Sequence, residues 1–112
     1  KGQFDGVVST DVLEHCPRED IPWLLNEIFG FAKQFVYVNI ACYPARKTLP
    51  NGENAHCTLE EPRVWVELVA QSVKRFPKPK CWIAFDVIKG EQGIVTELFE
   101  WDHPGLEAAD DC

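Results

Sequence analysis

Two stretches of nearly unbroken apolar, β-branched sequence with one amphipathic helix between them constrain this chain more than any other feature. Residues 4–8 read Phe-Asp-Gly-Val-Val, and Ser9, Thr10 and Asp11 follow at once, the pattern of a buried strand opening into a loop. Residues 35–41 read Phe-Val-Tyr-Val-Asn-Ile-Ala, a run expected of a central strand covered by helices on both faces. Between them, Ile21, Leu24, Leu25, Ile28, Phe29 and Ala32 keep the spacing of a single helical face. Glu19 and Asp20 stand where the helix dipole favours acids, and Pro22 is tolerated close to such a start. Strand, helix and strand in that order predict a right-handed parallel crossover.

The rest of the chain extends the same alternation. Residues 42–57 carry Pro44, Pro50 and Asn51-Gly52 with no apolar period, which predicts a long loop or a small hairpin turning at Asn51-Gly52. Thr58 with Glu61 has the spacing of a capping box, and Trp65, Leu68, Val69, Val73 and Phe76 then recur at helical intervals until Pro77 and Pro79. Trp65 opens that apolar face and is expected in the core rather than as a stacking platform. Residues 81–88 and 94–101 are β-rich runs separated by Lys89-Gly90-Glu91-Gln92-Gly93, an antiparallel hairpin. Residues 102–112 are acidic and aperiodic, so the expected organisation is one α/β domain over 1–101, with helices packed on the sheet, and a loosely ordered tail over 102–112.

Composition narrows the function classes. With 46% apolar and 26% charged residues, the 112-residue chain has the make-up of one ordinary globular core. A formal charge of −7 repels phosphate backbones and anionic membranes, so neither nucleic acid nor a membrane is an expected partner. No apolar run approaches the roughly 18 residues a membrane-spanning helix needs. Five cysteines (Cys16, Cys42, Cys57, Cys81, Cys112) are scattered without a Cys-x-x-Cys pair, and an odd number suits reduced thiols in a cytoplasm. His15-Cys16 and His56-Cys57 contain zinc-ligand residue types, but neither pair has the separation that lets one turn grip a tetrahedral ion, so no metal is expected. The chain starts at Lys1 and contains no Met, which reads as a fragment or a processed product.

The segment Phe4-Asp5-Gly6-Val7-Val8-Ser9-Thr10-Asp11-Val12-Leu13-Glu14-His15-Cys16-Pro17 resembles the Phe-Asp-x-Val…Val-Leu-Glu-His-x-Pro signature of class I S-adenosylmethionine-dependent methyltransferases. The elements that follow match that family's fifth strand, next helix and closing hairpin in order, so the resemblance covers nearly the whole chain. It implies the C-terminal half of a Rossmann-like methyltransferase domain, with the last strand, residues 94–101, lying antiparallel between the central strand and residues 81–88. The family's glycine-rich turn and its ribose-binding acid have no counterpart here. Roughly 60 residues would therefore be missing upstream, the isolated chain should bind cofactor weakly at best, and the uncovered edge beside residues 4–8 should favour self-association.

Carried over residue by residue, the resemblance places Ser9, Thr10, Asp11 and Val12 beside S-adenosylmethionine, at the carboxyl end of the first strand. Asp11, Glu14 and His15, at i, i+3 and i+4, would share one helical turn and serve catalysis, with the imidazole taking a proton from the acceptor. Related quinone-pathway enzymes are similar here and hold a divalent ion, a minor option for this chain. The blander alternative is that Leu13 packs, Glu14 caps or pairs, and His15 satisfies a backbone carbonyl. Tyr43, Arg46, Lys47, Asn54 and His56, in the loop after the central strand, are the candidate contacts to a small-molecule methyl acceptor, against the alternative of a solvated turn. A different Rossmann-like enzyme, such as a nicotinamide dehydrogenase, and a noncatalytic association module are the competing readings.

Overall fold

A computed structural model describes residues 3–45 and 48–101; Arg46, Lys47 and the tail over 102–112 lie outside the described residues. Six main elements follow one another: β1 (Phe4–Thr10), α1 (Ile21–Phe31), β2 (Ala32–Ala41), α2 (Pro62–Arg75), β3 (Lys80–Ile88) and β4 (Ile94–Trp101). They form an α/β unit with an open four-stranded sheet in the order β1-β2-β3-β4, parallel except for the closing antiparallel pair. No helix among the described residues is long and apolar enough to cross a membrane.

The helices share one face of the sheet. Val36, Val38 and Ile40 of β2 and Cys81, Ile83 and Phe85 of β3 alternate inward and are buried with Leu25 and Phe29 of α1 and Trp65 and Val69 of α2. A polar contact joins the two helices, Ser72 Oγ donating to Asn26 Oδ1 at 2.9 Å. Trp65 is fully buried, as its place on the helical period predicts.

The opposite face carries no helix among the described residues, so the expected double cover of the central strand is not found. Crossovers that step the same way along a sheet, from β1 to β2 to β3, with the usual handedness lay their helices on the same side. Register instead lines up Val8, Tyr37, Trp82 and Glu100 across the open face. Phe35 lies over Gly6, where an added Cβ would stand 2.0 Å from its ring, so a side chain there would displace the ring. β1 is a free edge, as expected, but it is not the buried strand its sequence predicts: none of its residues is buried, and Phe4 and Val8 are exposed, because an edge strand with one bare face has neighbours on too few sides.

Four local expectations are corrected. The last strand does not insert between β2 and β3: β3 pairs directly with β2, from Phe35↔Lys80 to Ala41↔Asp86, and β4 takes the outer edge. A hairpin's second strand satisfies its own hydrogen bonds on either side of its partner, so local sequence does not choose the side. Ser9 and Thr10 belong to β1 rather than to the loop, because both pair with β2. Ala32 opens β2 instead of closing α1. Thr58 does not cap α2, whose N-terminal residue makes no side-chain cap; its hydroxyl is committed elsewhere.

Candidate functional site

The carboxyl ends of the parallel strands are where an open α/β sheet places ligands, and here two loops meet there. The first leaves β1 at Asp11, the one non-glycine residue with positive φ (55°) among those described. A left-handed aspartate costs on the order of 1 kcal/mol and reverses the chain sharply. Its N–H donates to the Asn39 carbonyl at 3.3 Å, fixing the turn to β2. The chain then closes a single 3₁₀ turn, Leu13–His15, with Leu13 driven into the core.

That insertion takes Glu14 with it. Glu14 is 0% exposed, and neither carboxylate oxygen has a hydrogen-bond partner. Burial pushes its pKa above the usual carboxylate value; the nearby N–H groups of Glu14 and Ala41 oppose this, and the charge of Asp11 adds to the rise. Asp11 stays exposed ahead of the turn, so the three acid–base residues do not share one helical turn as expected. A 3₁₀ turn that begins only after Asp11 aims Glu14 inward and His15 outward.

The second loop, between β2 and α2, is held by its own polar side chains. A small hairpin turns at Asn51-Gly52, with Gly52 at φ 89° and an antiparallel bridge between Thr48 and Asn54. The Asn54 amide accepts from the N–H groups of Ala45 (2.8 Å) and His56 (2.9 Å) and donates to the Ala45 carbonyl (2.9 Å). Asn54 thus shapes the loop through three of its amide hydrogen bonds. His56 is buried rather than presented to solvent, and its Nδ1 pairs with the Tyr43 carbonyl.

The two loops are stapled together. Thr58 donates its N–H to the Glu14 carbonyl at 3.1 Å and its hydroxyl to the Cys16 carbonyl at 2.7 Å, while His15 Nδ1 pairs with the Ala55 carbonyl at 2.9 Å. A carbonyl only accepts, so the Nδ1 of each neutral histidine carries the proton and Nε2 keeps a lone pair. The two imidazoles stand edge to face at 4.7 Å, and one ligand atom from each of Glu14, His15 and His56 lies within 4.8 Å of the other two. The bland expectation for His15 holds, since it does satisfy a carbonyl; the one for Glu14 does not.

Acidic groups converge on this edge. The Tyr43 phenol is pushed up by burial first and then by Asp86, Asp11 and Glu14; the Cys42 thiol is pushed up to about 11 by burial and then by Glu14, Asp86 and Glu97. Cys42 is therefore a protonated thiol at neutral pH and no nucleophile. Sequence reasoning missed Asn39 and Asp86: Asn39 Nδ2 donates to Asp86 Oδ2 at 3.1 Å, and Thr96 donates to Asp86 Oδ1 at 2.6 Å. The signal that would have found them is a lone amide and a lone acid near the ends of otherwise apolar runs.

Of the expected cofactor contacts, Thr10, Asp11 and Val12 are exposed at this edge, whereas Ser9, paired with Val38, faces the helix layer. Tyr43 borders the cluster, its ring 5.7 Å from His56. Arg46 and Lys47 lie outside the described residues. A cleft of about 420 Å³ opens at the other end of the sheet, beside Phe29, Lys33, Arg75 and Phe76, but it sits at the amino ends of β2 and β3, away from these groups. Compared with known proteins, the chain matches no family model, no curated protein and no solved structure.

Proposed function

We propose that this chain contributes to methyl transfer from S-adenosylmethionine to a small-molecule acceptor, with cofactor and acceptor meeting over the carboxyl ends of β1 and β2. The observation that carries the reading is a gathering of acids: Asp11 and Glu14 follow the carboxyl end of β1, and Asp86, hydrogen-bonded to Asn39, lies near that of β2. Such a concentration of carboxylates favours a positively charged sulfonium and fits the cofactor's charge. The resemblance of residues 4–17 to the methyltransferase signature supports it independently.

When bound, S-adenosylmethionine supplies an activated methyl group, which leaves the protein to align the acceptor and remove its proton. In this reading Thr10, Asp11 and Val12 border the cofactor, and Tyr43 orients the acceptor. The Glu14, His15 and His56 cluster is the place where the acceptor's proton is lost.

Titration calorimetry with S-adenosylhomocysteine tests this, on the chain and on any longer natural form that carries a glycine-rich strand–turn–helix. One-to-one binding weakened about tenfold or more by Asp11→Ala is expected, since a charge-assisted contact is worth on the order of 1.5–3 kcal/mol. No binding by the longer form overturns the reading. One observation favours a second: β3 pairs parallel with β2, the succession of a plain doubly wound sheet and not the order the methyltransferase resemblance implies. A nicotinamide dinucleotide in the same titration separates the two. Self-association through the β1 edge is compatible with either, and light scattering at tens of micromolar should show dimers or larger species.

A further inference from the structure

Among the described residues, the indole N–H groups of Trp65 and Trp101 are buried without a partner, but Glu14 is the one buried acid left so. Its carboxyl is shut away from solvent with both oxygens unpartnered, although other polar side chains in the same loops, Asn54 and Thr58 among them, are satisfied. Buried polar atoms left orphaned in an otherwise satisfied setting call for a missing partner, and a cation is one that takes carboxylate oxygens. Beside it are two imidazoles, each with Nδ1 held by a backbone carbonyl, the outer-shell arrangement that orients histidine toward a metal.

We propose that Glu14, His15 and His56 bind one divalent ion of the zinc class, with a further coordination position open on the His15 side. Two imidazoles and one carboxylate suit zinc and its first-row neighbours, whereas magnesium and calcium prefer oxygen donors throughout. Ligands at about 2.0–2.1 Å from a tetrahedral ion stand roughly 3.4 Å apart. One possible donor atom from each of the three residues already lies within 4.8 Å of the other two, so binding an ion requires these side chains to close further. Three protein ligands are the complement of an open site, and His15, unlike Glu14 and His56, is exposed and gives access to it. The ion would also tie the loop after β1 to the loop after β2, reinforcing the Thr58 staple. The proposal stands on these side chains alone and needs no methyl donor; where both hold, Glu14, His15 and His56 would hold an ion that supplies Lewis acidity beside the acceptor.

Metal-free chain titrated with zinc against a chromophoric chelator, without any nucleotide, tests it. One equivalent should bind, and Glu14→Gln, which keeps the side-chain shape, should weaken binding at least 100-fold, as should His56→Ala. Circular dichroism of the metal-free variants checks folding, so that if His56→Ala unfolds, Glu14→Gln still decides. X-ray absorption at the zinc edge should show two imidazoles with oxygen and no sulfur, and Cys16→Ser with Cys57→Ser should bind as wild type does. Equal affinity in wild type and Glu14→Gln, or sulfur in the coordination shell, overturns the proposal.

Discussion

Trp65 and Glu14 are both 0% exposed, yet the regions around them are built on opposite principles. Around Trp65, the helix layer meets Val36, Val38, Ile83 and their neighbours in a continuous apolar core, where the uncharged indole N–H is the polar group left without a partner. Around Glu14, the loop layer is held by a handful of specific hydrogen bonds from Thr58, Asn54, His15 and His56, and the group at its centre is left without one. The helix layer is where the chain gains stability. The loop layer is where it gives some up, which is the usual signature of a site kept for chemistry.

Truncating the helix layer should do the most damage. Trp65→Ala should cost about 3–5 kcal/mol by urea denaturation, because the vacated volume lies inside packed apolar neighbours; a loss below about 1 kcal/mol would mean that α2 is not seated on the sheet. Glu14→Gln should act in the opposite direction and stabilise the metal-free chain at neutral pH, because it keeps the buried shape while removing the charge that burial penalises. The pH dependence carries the sign. Burial raises the pKa of Glu14 in the folded state, so the folded chain binds the extra proton. Its contribution is therefore fully present below the unfolded value near 4.5 and lost as pH rises through the folded one, and Glu14→Gln should flatten that fall.

A smaller effect is expected at the staple between the loops. Thr58→Val keeps the volume but leaves the Cys16 carbonyl unpaired, for a loss of about 1–2 kcal/mol and faster hydrogen exchange at the Thr58 amide. Were stability unchanged, the loops would be held by packing rather than by hydrogen bonds, and the contrast between the two regions would blur. Smallest of all is Arg63→Ala on the outer face of α2, whose contacts to Glu61 and Glu67 are longer than 3.6 Å and largely exposed. A change within about 0.5 kcal/mol is expected from thermal unfolding.

The elements themselves were legible because their signals are local. The period of Ile21, Leu25 and Phe29 marks α1 and the β-branched runs mark β1 and β2, and the small hairpin at Asn51-Gly52 follows from turn chemistry alone. The capping box at Thr58 failed for an instructive reason. Its hydroxyl had two possible acceptors, and the carbonyl of Cys16, 42 residues away, won over the helix end. Zinc-type spacing rules apply to His15-Cys16 and His56-Cys57 separately, and no local rule could show that the fold brings His15 and His56 together across two loops.

By itself, then, the sequence determined which segments become strands and helices, that Trp65 goes inside, and that the parallel crossovers form, since each follows from neighbours within a few turns of the chain. Only the tertiary structure decided that β4 lies outside β3, that both helices share one face, and that Glu14 is stranded between two histidines. These outcomes depend on which distant surfaces compete for the same hydrogen bond or the same side of a strand, and that competition is settled only when the whole sheet closes.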